Sequence, residues 1–262
     1  MENASDAKSL SQARYSQYAA GYVASETHAK GADLDRLIVI AAPKPDWLVL
    51  DVATGGGHTA LKFAPHVARV VASDLTPTML AAARQHITPQ EVHNVVFSAA
   101  DAENLPFVSA VFDLVTCRIA PHHFPDCFRF VQESARVLKP GGTLLVQDHV
   151  LSNDEQTARY TDAFEMLRDP SHHRAFAQYE WEGMFQDAGL AIVHTEQVVK
   201  RHQLHPWATR QGCSPEVIQQ LEVMLTQAPS PVKDWMLPQH LGATEASFVN
   251  RHLIIAGQKP VH

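Results

Sequence analysis

The feature that most constrains the fold is a short apolar run that ends in three glycines. The run, Trp47–Thr54, is followed at once by Gly55–Gly57 and then by His58–Ala60. A nearly continuous apolar stretch of this length is typical of a strand buried on both faces. Glycines directly after it allow a tight turn and a close approach of the backbone to a ligand. We therefore predict a buried strand, a glycine loop that holds a ligand, and the start of a helix.

Apolar runs continue to alternate with helix-like stretches along the chain. A helix starting at Pro77 and another over Pro125–Lys139 are expected from the proline positions and the apolar spacing. The alternation implies βαβ units, a parallel sheet with helices on both faces, and ligand sites beyond the carboxyl ends of the strands. The further predicted strands are Ala68–Leu75, Asn94–Ala100, Phe112–Ala120, Gly142–Val150, Ala191–Lys200 and Ser247–Lys259.

The rest of the chain is arranged around this sheet. Residues 1–44 are predicted to form an N-terminal helical lid, and residues 45–150 the ligand-binding core. Residues 151–262 are predicted to add a cap insertion, C-terminal helices and closing strands to the same domain. The helices expected there are Gln178–Leu190 and Ser214–Ala228, and Ser214 is the predicted N-cap of the second.

Composition limits the class of protein. The chain has 262 residues, a formal charge of −7, 45% apolar residues and 19% charged residues, as in a globular protein with one core. The acidic balance disfavours nucleic acid as a partner, and three scattered cysteines indicate neither a disulfide framework nor a zinc site. The chain shows neither a membrane-spanning apolar run nor a signal peptide. We expect a cytoplasmic protein without membrane insertion, as a monomer or homodimer.

Charge distinguishes between the ligands that the glycine loop could hold. Gly55, Gly57 and Ala60 match the dinucleotide fingerprint GxGxxA, and Asp74 lies 17 residues after Gly57, where an acid binds a ribose. A pyrophosphate favours a helix N-terminus with no anion beside it, whereas Asp51 lies four residues before Gly55. That carboxylate suits a cationic amino group or sulfonium, and S-adenosylmethionine carries both. An NAD(P)-dependent oxidoreductase is the alternative.

Four segments, in this order, resemble the class I S-adenosylmethionine-dependent methyltransferases, in particular the small-molecule group that contains the ubiquinone and menaquinone C-methyltransferases. They are Leu50–Gly57, Ala72–Leu80, Ala100–Phe124 and Arg136–His149. The resemblance is strong over residues 45–150 and loose elsewhere. It implies an α/β fold with a Rossmann-like, doubly wound, seven-stranded sheet, mostly parallel with an antiparallel last strand, plus a small helical cap or lid. It also implies methyl transfer to a small-molecule acceptor by in-line displacement, with S-adenosylhomocysteine as product.

The resemblance further implies roles for single residues. Asp51 would hold the methionine amino group of the cofactor, Asp74 would accept hydrogen bonds from the ribose hydroxyls, and Arg118 would border the methionine and the substrate. The other cofactor-binding candidates are the backbone lining Ala53, Thr54, Gly55 and Gly57, the adenine contacts Leu75, Met79, Asp101 and Ala102, and Tyr18, which would close the site together with Tyr22. The family usually has glycine at position 53, so we expect a slightly wider turn here.

Several of these residues also have a purely structural explanation. Asp74 is a residue type that often caps a following helix, Met79 is a common core residue, and Asp101 suits a solvated turn. A protein that binds the cofactor without transferring its methyl group would carry the same residues, and this is a third hypothesis.

Catalytic candidates are sought after the fourth and fifth strands. Methyl transfer needs mainly alignment of the reactants, and a base is required only if the accepting atom must lose a proton. The candidates are His123, His122 and His149, drawn from 16 histidines in the chain. The adjacent histidine pairs, with no acidic cluster at chelating spacing, do not indicate a metal site.

The expected acceptor is a small apolar or aromatic metabolite. Aromatic residues of the C-terminal part would either fill the core or line its pocket. They are Trp181, Phe185, Trp207 and Trp235.

Overall fold

Parallel strands form the centre of the molecule, as the apolar runs predict. The structure, a computed structural model, describes residues 4–23 and 32–261, without the side chains of residues 4–5, 17–23 and 32. The strands are β1 (Leu48–Val52), β2 (Arg69–Asp74), β3 (Val95–Ala99), β4 (Phe112–Arg118), β5 (Leu138–Leu151), the two-residue β6 (Phe176–Ala177), β7 (Ala191–Gln203) and β8 (Ser247–Gln258).

The seven long strands lie in the order β3-β2-β1-β4-β5-β8-β7, and β6 pairs with the end of β5. Strands β1 to β5 pair in parallel, whereas β8 is antiparallel to both β5 and β7. This confirms the predicted seven-stranded, mostly parallel sheet with an antiparallel last strand. The strand order reverses at β1 and β4, and this is the switch point where ligands bind in such sheets.

Successive residues of the central strands face opposite sides of the sheet, so each side has its own core. Val49 and Leu114 pack on one side and their neighbours Leu50 and Val115 on the other. The first side is covered by helices α2 (Ala32–Ala41), α3 (His58–Phe63) and α4 (Pro77–Ile87), and the second by α5 (Cys127–Val137) and α7 (Gln178–Asp187).

The cap consists of four helices with a hydrophobic cluster of their own. They are α6 (Glu155–Arg168), α8 (Leu204–Thr209), α9 (Pro215–Gln227) and α10 (Ser230–Met236). Phe164 and Trp207 stack at the centre of this cluster, with ring centroids 5.5 Å apart. The Ser214 hydroxyl accepts a hydrogen bond from the amide of Val217, so it caps α9 as predicted.

The N-terminal helix α1 (Ala4–Val23) crosses the edge of the sheet where the carboxyl ends of the strands meet. It packs against α4 and against the short 3-10 turn Pro121–His123 that follows β4. In the described ranges, no helix combines the length and apolar character that crossing a bilayer requires.

One position of the glycine loop, Gly57, favours glycine through both its backbone conformation and its close neighbours. Gly57 has φ +79°, and a Cβ there would lie 2.8 Å from Cδ1 of Ile87 and 3.1 Å from Cβ of Ala83. Gly189 has almost the same φ, +77°, but no atom lies within 4 Å of its added Cβ. We expect Gly189→Ala to lower the free energy of unfolding by about 1–2 kcal/mol through backbone strain alone.

Gly57→Ala is expected to lower the free energy of unfolding by about 1–3 kcal/mol more than Gly189→Ala does, because the added methyl group also overpacks the core. Urea unfolding of both variants measures the difference. Equal losses would show that the core around Ile87 yields without cost.

Candidate functional site

A cavity lies at the carboxyl ends of β1, β2 and β4 and encloses about 1050 Å³, its open mouth included. Asp51, Gly57, His122 and His149 do not line it. The side chain of Tyr18 lies outside the described residues. The predicted residues that the structure brings together in its wall are Ala53, Thr54, Gly55, Asp74, Leu75, Met79, Asp101, Ala102, Arg118 and His123.

The loop after β1 turns through three left-handed residues. Ala53, Gly55 and Gly57 have φ values of +52°, +54° and +79°. Alanine at position 53 thus adopts a conformation that glycine takes without penalty, at a cost of about 1–2 kcal/mol. The departure from the family pattern is therefore absorbed as backbone strain at the wall of the cavity, where strained residues tend to cluster.

Asp51 anchors the loop after β1 from the side that faces away from the cavity. Its carboxylate accepts hydrogen bonds from the hydroxyls of Thr54 (2.6 Å) and Thr116 (2.7 Å), and only 1% of the residue is exposed. Burial raises the pKa of Asp51 to about 6, against the opposing effect of these hydrogen bonds. The side chain is thus a link between the loop and β4, and a ligand in the cavity meets the loop before it meets this carboxylate.

Asp74 faces the cavity at the end of β2. Its two carboxylate oxygens accept hydrogen bonds from the amides of Gly55 and Thr76, both at 2.9 Å. The N-cap of α4 is Thr76, so the alternative explanation of Asp74 as a helix cap is wrong. Burial raises the pKa of Asp74. The carboxylate cross-links the two loops that would surround a ribose.

One end of the cavity is acidic and is closed by α1. The Lys8 ammonium lies 2.7 Å from the Asp101 carboxylate and 2.5 Å from that of Glu103. One turn further along α1, the Gln12 amide donates to the carbonyl of Leu75 at 2.9 Å. Sequence reasoning missed Lys8, because its partners lie far away in the chain. The available signal was the spacing of Lys8, Ser11 and Tyr15, which places them on one face of a helix.

His123 occupies the opposite end of the cavity. Its Nδ1 lies 2.8 Å from the carbonyl oxygen of Ser171, and its Nε2 is hydrogen-bonded to the hydroxyl of Tyr15. A carbonyl only accepts, so Nδ1 carries the proton and Nε2 presents its lone pair. Burial lowers the pKa of His123, which keeps the ring neutral and able to accept a proton at pH 7. Tyr15 lies in the segment expected to cover the ligand, but only Tyr18 was predicted as a cofactor-binding residue.

His123 belongs to a histidine cluster whose other members lie behind it, away from the cavity. The cluster is formed by His122, His123, His149, His172 and His252. Ring centroids are 4.1 Å apart for His122 and His123, 4.5 Å for His122 and His149, and 4.7 Å for His149 and His252. His122 lies against the Asp148 carboxylate, with Nδ1 at 2.6 Å. In the described part of the chain, no three His, Cys, Asp or Glu side chains are placed to hold a metal ion.

Burial sets the charge state of the cluster. It lowers the pKa of His122, His149 and His252 well below the ordinary value and raises that of Asp148 to about 7. For His172, burial opposes protonation, but the hydrogen bond to Asp162 and the charges of Glu165, Asp162 and Asp148 together outweigh burial and raise the pKa. Of the three predicted bases, only His123 reaches the cavity, while His122 and His149 pack behind it.

Arg118 ends β4 in the wall of the cavity. Its side chain is 4% exposed, and one guanidinium nitrogen lies 3.4 Å from the carboxylate of Asp33 on α2. Burial lowers the pKa of Arg118, while the charges of Asp33 and Asp51 oppose that shift.

Known proteins are similar to this chain in sequence and in fold. A family profile described as a methyltransferase domain matches residues 50–146. YcgJ of Bacillus subtilis, an uncharacterised methyltransferase, is 33% identical over 246 residues, which are 94% of this chain and 97% of YcgJ. The chain belongs to the methyltransferase family.

Solved structures confirm the fold of the enzyme. The crystal structure of YcgJ superposes with a TM-score of 0.84 and covers 87% of this chain and 98% of YcgJ. A protein of the methyltransferase class from Bacillus halodurans is 37% identical, with a TM-score of 0.84 and coverage of 88% of this chain and 100% of that protein.

A further relative is similar in sequence over part of the chain. A demethylmenaquinone methyltransferase of Thermus thermophilus is 40% identical over 121 residues, 44% of this chain and 54% of the relative.

The donor set of the methyltransferase fits its cofactor, S-adenosylmethionine. The residues that line the cavity suit the three parts of this molecule. The carboxylate of Asp74 can accept from ribose hydroxyls, the apolar side chains of Leu75 and Met79 can pack on an adenine ring, and the guanidinium of Arg118 can pair with a carboxylate. Its lysine, Lys8, is engaged by two carboxylates, and the loop itself lies between Asp51 and Asp74, which disfavours a pyrophosphate. The match to the methyltransferase family contradicts the oxidoreductase alternative, and this charge pattern agrees with that result.

The aromatic residues considered for the acceptor pocket pack elsewhere. Trp181 and Phe185 lie in the core beside the sheet, and Trp207 lies in the cap cluster. Trp235 is half-buried at the edge of the cap cluster, and none of the four lines the described cavity.

The histidine cluster makes a testable contribution to the pH dependence of stability. His252 is buried, and its pKa is lowered by burial and by the neighbouring charges of His149, Lys200 and His202. Below the ordinary histidine pKa of about 6.5, the unfolded chain binds a proton that folded His252 does not. The stability from neutral His252 is therefore present above pH 6.5 and is lost as the pH falls.

From pH 8 to pH 5, wild type is expected to lose up to about 2 kcal/mol more unfolding free energy than His252→Gln. Urea unfolding at several pH values measures this difference. The control is the exposed His93→Gln, which should follow wild type. Parallel curves for wild type and His252→Gln would mean that His252 has the same pKa in the folded and in the unfolded chain.

Proposed function

We propose that the enzyme methylates a small, largely apolar acceptor at an atom that carries a proton, with His123 as the base. The observation that carries this proposal is the neutral ring of His123 in the wall of the cavity, whose Nδ1 is fixed by Ser171 and whose Nε2 accepts from the Tyr15 hydroxyl. The hydrogen bond from Tyr15 to the same Nε2 shows that a hydroxyl group fits there. An acceptor hydroxyl that replaced the Tyr15 hydroxyl at Nε2 would donate its proton to His123.

The cofactor binds along the loop after β1 in this proposal. Asp74 accepts from the ribose hydroxyls, Leu75 and Met79 pack on the adenine, and Asp101 with the backbone of Ala102 lies at its amino edge. The backbone of Ala53–Gly57 borders the methionine and ribose, with Asp51 acting through that backbone. S-adenosylmethionine supplies an electrophilic methyl group, and the product is S-adenosylhomocysteine.

The acceptor is proposed to lie between His123 and the segment after β4. That segment contributes Ile119, Ala120, Phe124 and Pro125 to the wall, so most of the surface offered to the acceptor is apolar. This wall suits a hydroxylated ring or another apolar molecule with one protic group. The similarity to demethylmenaquinone methyltransferases over part of the core supports testing hydroxylated aromatic acceptors first.

Helix α1 acts as the lid in this proposal, and it lies within residues 1–44, the predicted N-terminal lid. Lys8 and Gln12 contact residues at the adenine end of the cavity, while Tyr15 is hydrogen-bonded to His123, the proposed general base. One helix therefore spans both ligands and would exclude water from the reacting atoms.

The cofactor site predicts a selective loss of binding. Asp74→Ala should weaken S-adenosylhomocysteine binding by roughly 10- to 150-fold, because charge-assisted hydrogen bonds contribute roughly 1.5–3 kcal/mol. Calorimetry on the purified enzyme measures this, with the exposed Asp46→Ala as control. Unchanged affinity for Asp74→Ala would contradict its contact with the ribose.

The base predicts a pH profile. His123→Gln is expected to lower kcat by roughly 10²- to 10⁴-fold on an acceptor found by screening hydroxylated aromatic compounds, while S-adenosylhomocysteine affinity stays unchanged. The pKa of His123 is lowered, so wild-type kcat/KM should be flat above pH 6.5 and fall at more acidic pH.

Full turnover by His123→Gln would remove His123 as the base. Wild type that binds S-adenosylhomocysteine but methylates no compound of the panel would favour the hypothesis of a cofactor-binding protein without methyl transfer.

A further inference from the structure

A buried group of charges lies behind Arg118 and takes no part in the steps described above. Its centre is Asp33, in the first turn of α2. One carboxylate oxygen of Asp33 lies 2.7 Å from Nζ of Lys200 on β7, 2.8 Å from Nε2 of Gln147 on β5, and 3.4 Å from Nη2 of Arg118 on β4. Four separate elements thus meet at a single oxygen atom.

This group is costly to bury and therefore calls for an explanation. The side chains of Asp33 and Arg118 are 2% and 4% exposed, and that of Lys200 is 20% exposed. Removing charges from water is unfavourable, and apolar residues of the same volume often stabilise a protein as well or better. A fold that needed only a link between α2 and β7 would be served by apolar contacts.

The charges of the group are balanced so that Asp33 stays ionised. Burial alone would raise the pKa of Asp33, but the positive charges of Arg118 and Lys200 outweigh burial and lower it. Asp33 and Asp51 flank Arg118, and Lys200 supplies a second positive charge. The two carboxylates and the two cations therefore sum to zero net charge. Such a set can receive a part of a ligand that itself carries one positive and one negative group.

The members of this charge group differ in what they contact. Lys200 and Gln147 make the shorter contacts with Asp33, whereas Arg118 is the member that reaches the cavity. A guanidinium is a rigid fork that suits a carboxylate. The methionine end of the cofactor carries an ammonium and a carboxylate, and the carboxylate is the anion of the molecule.

We propose that Asp33 is a positioning residue that holds Arg118 against the methionine carboxylate of the cofactor, with Lys200 and Gln147 holding Asp33 in turn. The inference rests on the cofactor placement of the proposed function. It extends the methionine site from the loop after β1 to the edge strand of the sheet.

Two ligands that differ only at the methionine end test the proposal. S-adenosylhomocysteine and 5′-methylthioadenosine share adenine, ribose and a thioether, but the second has no amino-acid group. Arg118→Lys and Asp33→Asn are expected to weaken S-adenosylhomocysteine binding by about ten-fold or more, and to leave 5′-methylthioadenosine binding within about two-fold of wild type. Calorimetry on the full-length enzyme gives both affinities.

The chain offers matched controls for this experiment. Arg36 of α2 pairs with Glu196 of β7 at 2.6 Å, so Glu196→Gln breaks another ion pair between the same two elements without touching Arg118. It should leave both affinities unchanged. Lys200→Arg keeps the charge next to Asp33 and should retain most of the affinity that Lys200→Met loses.

The possible results separate this inference from the proposed function. Equal losses for both ligands, no loss for either ligand, or a selective loss in Glu196→Gln would each overturn the role of Asp33. No loss for either ligand in Arg118→Lys would point instead to an anionic group of the acceptor as its partner. Wild type that binds neither ligand would overturn the cofactor placement itself. If Asp33→Asn does not fold, Arg118→Lys and Lys200→Met carry the same comparison.

Discussion

The site depends on the buried carboxylate of Asp51, which joins the loop after β1 to the neighbouring strand. By accepting from Thr54 and Thr116, it sets the distance between the loop and the end of β4. Arg118 lies two residues beyond Thr116, and the turn that carries His123 follows directly. The loop and the proposed base are thus held in one frame, because a strongly hydrogen-bonded carboxylate has little freedom inside a protein.

The strands, and most of the candidate residues that the structure brings together in the wall of the cavity, were predictable because their signals are local. A buried parallel strand, a glycine loop and an acid at the end of the next strand follow one another along the chain. Local pattern did not decide which of His122 and His123 reaches the cavity, since they are neighbours and the 3-10 turn after β4 orients them. Tyr15 and Asp33 meet partners more than a hundred residues away, and no pattern within one segment encodes such contacts.

The surplus of histidine now has a partial physical account. Five imidazoles pack together between the cavity and the cap. Burial lowers the pKa of four of them and keeps them neutral, whereas the pKa of His172, which pairs with Asp162, is raised. The cluster includes His123, so a change of charge in it would act on the cap and on the proposed base together.

The antiparallel last strand has a consequence for the order in which the protein is made. In the described structure, β7 pairs with β8 and lies at the edge of the sheet, while β8 fills the place beside β5. A chain emerging from the ribosome therefore completes β7 well before β7 has a place to dock. Lys200 reaches Asp33 only after β8, near residue 258, has entered the sheet. The nascent chain can assemble the loop after β1 early, but the charge cluster behind Arg118 forms only after β8 has been made.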